Sequence, residues 1–123
     1  MEPAFQVELF PADVDRSVDF YVGVLGFAVE RDARGSGSAY VAVRRGAARI
    51  GLGAAWEPAD PSARRVPQGV ELVLEVDDLG AERARVVAAG WPLAEDVQLR
   101  SWGREDFRVF DPDGYYIRVT TRG

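Results

Sequence analysis

Residues 6–31, QVELFPADVDRSVDFYVGVLGFAVER, decide the fold, because residues 71–96, ELVLEVDDLGAERARVVAAGWPLAED, echo them. The anchors stay in step: Asp13 and Asp78 are 65 residues apart, Gly26 and Gly90 are 64 apart. In the first copy Val7 and Leu9 alternate with Gln6, Glu8 and Phe10, the period-two mark of a strand. Pro11 ends that strand. Asp13 is the expected helix N-cap, since its carboxylate can accept from the unpaired N–H groups of a first turn. Val14, Val18, Tyr21, Val22 and Leu25 follow at spacings that put them on one helical face, and Gly26 stops the helix. In the second copy Leu72, Leu74 and Val76 form one strand face and Glu71, Val73 and Glu75 the other. Asp78 caps a helix carrying Leu79, Val86 and Val87, with Gly90 as its stop. Arg83 stands where the first helix has Val18, which predicts a side chain snorkelling at a sheet edge or in a subunit contact.

Each echo is followed by further strands. Phe27–Arg31 restarts as a strand, Gly35-Ser-Gly-Ser reads as a turn, and Ser38–Arg44 with Ala47–Gly53 reads as a hairpin about Arg45-Gly46. Residues 54–69 carry three of the seven prolines and no periodicity, as a linker would. Pro92–Asp96 is a short strand. Glu105–Phe110 and Tyr115–Thr121 form a last hairpin about the Asp111-Pro-Asp-Gly turn. The reading is α+β: two tandem βαβββ modules forming a curved, mostly antiparallel sheet with an open cleft. Module one is 1–53, the linker 54–69 and module two 70–123, all within a single domain 1–123. A helix covers one sheet face of each module, so the other faces must shield a ligand or meet a second subunit. A domain-swapped or side-by-side homodimer follows as an expectation.

Composition removes whole classes of chemistry. The 123 residues include no cysteine and no histidine, so disulfides, thiolate sites and Ser-His or Cys-His pairs are excluded. The commonest metal ligand is missing with the histidine. A formal charge of −5 argues against nucleic acid, whose phosphates need a basic footprint, and mildly favours a cationic ligand. No apolar run is long enough to cross a membrane, and MEPAFQVELF lacks the form of a signal segment. A cytoplasmic location is the expectation. Arg44-Arg45 and Arg64-Arg65 read as solvated surface, and the Gly35 turn is no phosphate loop because no helix follows it.

DVDRSVDFYVGVLGF resembles the first helix, with its Gly-Phe stop, of the vicinal oxygen chelate superfamily, which holds glyoxalase I, extradiol dioxygenases and bleomycin-resistance proteins. FRVFDPDGYYIRV resembles its terminal hairpin. The resemblance spans essentially the whole chain and implies four metal-ligand positions, on the first and last strand of each copy. They fall here on Gln6, Gly51, Glu71 and Arg118. Gly51 has no side chain to offer and a guanidinium repels a cation, so no metal and no cofactor is expected. Arg118 would stand in the metal's place and pair with Glu71.

Ser101-Trp102-Gly103-Arg104-Glu105 resembles a segment of the bleomycin-resistance branch, in which a tryptophan stacks on planar parts of a drug. With the mapped positions, the cleft aromatics placed by strand parity or loop position, and the acids that could meet a cationic drug, the candidate ligand-binding residues are Gln6, Glu8, Phe10, Tyr40, Trp56, Glu71, Glu75, Trp102, Tyr116 and Arg118, with no catalytic residue. Phe10 shares strand parity with Gln6 and Glu8, and Tyr116 with Arg118. The implied partners are a small planar aromatic natural product and a second copy of the chain. The implied function is metal-independent sequestration of a bleomycin-, mitomycin- or enediyne-like compound, conferring antibiotic resistance. Two other readings stay open: a divergent lyase or dioxygenase, metal-dependent or using Glu71 or Glu8 as general base, and a non-catalytic accessory or dimerisation module.

Overall fold

A computed structural model describes residues 2–54 and 65–122. Trp56 and Arg64 lie outside the described residues. The chain divides into two compact units, Met1–Arg65 and Val66–Gly123, with the division inside the stretch read as linker.

The first unit contains β1 (Val7–Leu9), α1 (Val14–Gly23), β2 (Ala28–Asp32), a single 3-10 turn over Arg34–Ser36, β3 (Val41–Arg45) and β4 (Ala48–Leu52). Its sheet has the order β1-β4-β3-β2. β1 lies parallel to β4 with Glu8 opposite Gly51, and the other two pairings are antiparallel. The second unit repeats this with β5 (Leu72–Val76), α2 (Leu79–Ala88), β6 (Glu95–Leu99), β7 (Glu105–Phe110) and β8 (Tyr116–Thr121), in the order β5-β8-β7-β6. β5 runs parallel to β8 with Val73 opposite Arg118, and Arg108 of β7 faces Arg118 from the other side. This is the α+β pair of tandem βαβββ modules, each with a four-stranded mixed sheet.

Local chemistry sets the elements. Asp13 accepts from Arg16 N at 3.1 Å and Asp78 from Ala81 N at 3.0 Å, so both N-caps form as the sequence requires. Gly26 and Gly90, at φ +73° and +74°, adopt the left-handed conformation that closes a helix cheaply only for glycine. Phe27 N then bonds Tyr21 O at 2.9 Å and Trp91 N bonds Val86 O at 3.2 Å, capping the loose carbonyls. In the last hairpin Asp111 Oδ1 accepts from both Asp113 N and Tyr115 N at 2.9 Å, and Gly114 takes φ +95°. The observed strand starts at Glu95 rather than Pro92, and the first hairpin at Val41 rather than Ser38.

Strand parity sorts the faces. In the first unit Leu9, Val41, Val43, Ile50 and Leu52 are buried with Val14, Val18, Tyr21 and Leu25 of the α1 segment. Tyr21 meets Phe20 and Phe27 edge-on, at centroid distances of 5.0 and 5.8 Å. In the second unit Leu74, Val76, Phe107, Val109, Ile117 and Val119 are buried with Leu79 and Val86. Val22 and Val87 do not join these cores; they stay 38% and 49% exposed. Each is the ninth residue of its helix, about 80° round from the first at about 100° per residue. Ser17 and Phe20 in one helix, and Glu82 in the other, are buried on the opposite flank of the arc, which turns both valines outward.

One arginine departs from the solvated reading, and a second takes up the sheet-edge position expected of it. Arg45 donates to Leu25 O at 2.9 Å, tying the hairpin end to the helix end. Arg83 reaches the edge strand and pairs with Asp96 at 2.6 Å, and hydrogen bonds from Arg83 and from Val97 N bring that carboxyl down to about 2.

Replacing either cap by alanine, Asp13→Ala or Asp78→Ala, is expected to cost about 1 kcal/mol each. Urea titration followed by far-UV circular dichroism measures the loss; a change within a few tenths for both would show the caps to be idle.

Candidate functional site

The helices leave one face of each sheet uncovered, and the predicted residues other than Trp56, which lies outside the described residues, fall on or beside those two faces. On the first, the end of β4 and the residue after it read Ile50-Gly51-Leu52-Gly53, so the two open-face positions that follow Arg49 are both glycine. The missing side chains leave a trough, and three neighbours fill it. A Cβ on Gly51 would collide with the Glu8 carboxylate and the Tyr40 hydroxyl, while one on Gly53 would lie 3.6 Å from the Phe10 ring. Tyr40 donates to Glu8 at 3.0 Å, and the Gln6 amide donates to Glu8 at 2.8 Å and to Tyr40 at 3.3 Å. Burial, and next the Glu8 carboxylate, push the Tyr40 hydroxyl above its ordinary value of 10.0. Gln6, Glu8, Phe10 and Tyr40 thus form one cluster, and Phe10 remains 45% exposed.

Tyr40 is placed by its loop. Ala33 N bonds Tyr40 O at 2.9 Å and Tyr40 N bonds Ser38 Oγ at 3.2 Å. The same loop is fastened to α1 by Arg34, which pairs with Asp15 at 2.7 Å and Asp32 at 2.8 Å.

The second open face is a lattice of arginines and carboxylates. Arg118 Nε lies 2.7 Å from Glu71 Oε1, the ion pair that the ligand-position mapping anticipates. That nitrogen makes no in-line hydrogen bond despite the short distance, so the contact is ionic rather than directional. Arg108 reaches the other Glu71 oxygen at 3.3 Å, Glu95 at 3.5 Å and Asp106 at 3.4 Å. Arg100 joins Glu95 at 2.6 Å and Asp106 at 2.9 Å, and Arg104 stands 3.5 Å from Glu75. Asp106 is fully buried. Burial pushes its carboxyl up, yet hydrogen bonds from Arg100 and Arg108 outweigh that and hold it below the ordinary 3.8. Glu71 and Glu75 are therefore engaged by guanidiniums of their own sheet, and this face does not present the negative charge that a cationic ligand would need.

Aromatic rings border the lattice. Trp102 sits on the β6–β7 turn, where Gly103 takes φ +90° and Arg100 N bonds Arg104 O at 2.8 Å. Its ring is 56% exposed and lies 5.7 Å from the Arg118 guanidinium carbon. Tyr116 and Phe110 pair at 5.0 Å, with Arg108 beside Tyr116. Phe110, Arg108, Arg100, Arg104, Glu95 and Asp106 were not among the sequence candidates. Their signal was present: Asp106, Arg108 and Phe110 alternate with the apolar Phe107 and Val109 along β7. A separate groove near the start of α2, bordered by Leu79, Val97, Leu99 and Thr121, takes in none of the sequence candidates.

A sequence profile described as the glyoxalase/bleomycin resistance protein/dioxygenase superfamily matches residues 5–119. The chain belongs to this superfamily. No curated protein matches it by sequence. Among solved structures, TioX from Micromonospora sp. ML1 is similar over 98% of both chains, with 23% identity and a TM-score of 0.77. VPC_CASS1, from the mobile metagenome of V. Pseudocholerae, is 26% identical over 100% of this chain and 96% of its own, with a TM-score of 0.73. A lactoylglutathione lyase from Agrobacterium tumefaciens has 20% identity over 98% of this chain and 94% of its own, at a TM-score of 0.73.

Metal-dependent members of the superfamily imply a divalent ion, and the residues at the four mapped positions do not fit one. Position 51 brings no donor, and its space holds the Glu8 carboxylate. Gln6 turns its amide nitrogen, a donor, toward Glu8. Glu71 lies between two guanidiniums, one of them at the fourth position. Among the described residues no group of three or more acidic side chains could hold a metal ion. Nor is any helix long and apolar enough to cross a membrane.

Two measurements check this geometry. Gly51→Ala should expel the Glu8 side chain from the trough and remove the carboxylate that helps raise Tyr40, so the Tyr40 titration moves down toward 10.0. In the parent, stability contributed by the raised Tyr40 is intact below pH 10.0 and declines as pH climbs through its folded value. Tyrosinate absorbance against pH reads the shift. Asp106→Asn should cost about 3 kcal/mol, because two partly buried guanidiniums lose their shared anion. Its acid unfolding should also lose the component that, in the parent, fades as pH falls below 3.8.

Proposed function

We propose that this protein binds a planar aromatic natural product of the bleomycin, mitomycin or enediyne kind, holds it without turnover and so confers resistance. The observation that carries the reading is the filling of the metal positions by the chain's own groups. Glu8 occupies the hollow over Gly51, and Arg118 is paired with Glu71. No electrophilic ion has a place in such a site, so no step is assigned to one. What remains suited to a ligand is apolar ring surface. Trp102, Phe110 and Phe10 are 56%, 49% and 45% exposed on or beside the open faces, and the Tyr116 ring adjoins Phe110. Stacking on each ring adds about 0.5–1.5 kcal/mol beyond burial, with planar ligands gaining most.

The reading includes a homodimer and a cytoplasmic setting, because a sequestering protein must meet its drug inside the cell. Sedimentation velocity tests the dimer directly. The ligand-binding role given to Gln6, Glu8, Tyr40, Glu71, Glu75 and Trp56 belongs to the same proposal.

Protein purified without chelators is expected to carry no stoichiometric Zn, Ni, Mn or Fe by elemental analysis. In a thermal-shift screen, at least one planar natural product should raise the melting temperature, since a ligand of the native state stabilises it by mass action. Trp102→Ala should then weaken that ligand by about three- to tenfold. A full complement of metal, or consumption of the ligand on incubation, would sink the reading.

A further inference from the structure

The lattice on the second open face is unevenly neutralised. Four arginines, Arg100, Arg104, Arg108 and Arg118, face four carboxylates, Glu71, Glu75, Glu95 and Asp106. Arg108 touches three of those carboxylates and Arg100 two. Arg118 is paired, among the described residues, with Glu71 alone, which it shares with Arg108, and the approach at 2.7 Å is by its Nε. Terminal amino groups of Arg100 and Arg108 make hydrogen bonds, whereas the two of Arg118 make none among the described residues. They are not stranded in the core: the side chain is 21% exposed, and its Nε is the buried unsatisfied atom. A guanidinium fixed at one end, with its outer N–H fork open, matches a planar pair of oxygens. The neighbouring Trp102 ring supplies a flat apolar wall.

From this we infer that Arg118 is an oxyanion receptor, and that the ligand is a planar aromatic bearing a carboxylate, or an equivalent pair of adjacent anionic oxygens. The inference rests on the binding reading above and narrows it. The oxygens take the open fork of Arg118 while the attached ring lies against Trp102. The protein's overall charge of −5 points to a cationic ligand, but the local pattern decides otherwise. Glu71 and Glu75 each face an arginine, so an ammonium group would find no unneutralised acid here. At contact distance such pairing outweighs a net charge spread over the surface and screened within about 8 Å at physiological ionic strength.

The test uses three probes of one shape, 2-naphthoate, 2-naphthamide and 2-naphthylmethylammonium, titrated by calorimetry into the intact protein. The naphthoate should bind at least about tenfold more tightly than the amide, the range of charge-assisted hydrogen bonds, and the cation most weakly. In Arg118→Gln the naphthoate-to-amide ratio should fall to near one. Arg108 still faces Glu71 in that variant, so no carboxylate is left alone and the fold should hold, which circular dichroism verifies. Arg118→Lys keeps the charge but not the fork, and should recover only part of the ratio. Equal binding of naphthoate and amide, with both lost in Trp102→Ala, would overturn the oxyanion receptor and leave the aromatic-binding reading standing. Tightest binding by the cation would do the same. Absence of binding by all three, together with no hit in the natural-product screen, would overturn both.

Discussion

The parallel pairing of each module's first strand with its last is the constraint on which the remaining geometry depends. Parallel neighbours cannot be joined by a tight turn, so the chain must leave β1, cross over through a helix and return by way of two antiparallel strands. The crossover places the helix on one face, and its apolar arc decides which strand parity becomes core. The same pairing brings Glu8 beside Gly51 and Val73 beside Arg118. Residues more than forty positions apart, in both modules, are thereby set shoulder to shoulder on the uncovered face. Site and fold are therefore products of one pairing choice, made twice.

Much of this was legible because its determinants are local. A cap needs one aspartate at the right place, a helix stop needs one glycine, and parity along a strand needs only alternation. Asp13, Asp78, Gly26, Gly90 and the Asp111-Pro-Asp-Gly turn all stand where those rules put them. The Arg118–Glu71 pair could be anticipated on a different ground, the ligand positions that the superfamily resemblance maps onto these two residues.

What escaped was long-range in a different sense. Arginine side chains span several ångströms, so Arg100 reaches Asp106 and Glu95 from a turn, and Arg108 bridges Asp106 of its own strand, Glu95 of β6 and Glu71 just before β5. No periodicity encodes such reach. The valines at 22 and 87 failed for the opposite reason. Spacing alone defines an arc without fixing its centre, and the buried Ser17, Phe20 and Glu82 shift that centre away from them. Trp56 falls outside the described residues, and its role stays with the proposal. The two faces also differ more than the repeat suggests: one is hollowed by glycines and sealed by a tyrosine-carboxylate cluster, the other is crossed by ion pairs.

The hollow at Gly51 has a consequence for the evolution of such a site. A glycine codon of the GGA or GGG type is one base change from glutamate, so a carboxylate at position 51 is genetically close. It is opposed by packing, because the Glu8 carboxylate and the Tyr40 hydroxyl already occupy the volume a first side-chain carbon would need. A side chain there must push the ends of Glu8 and Tyr40 aside, which breaks their hydrogen bonds with each other and with Gln6 before any benefit arrives. The cluster thus resists the acquisition of a donor at this position.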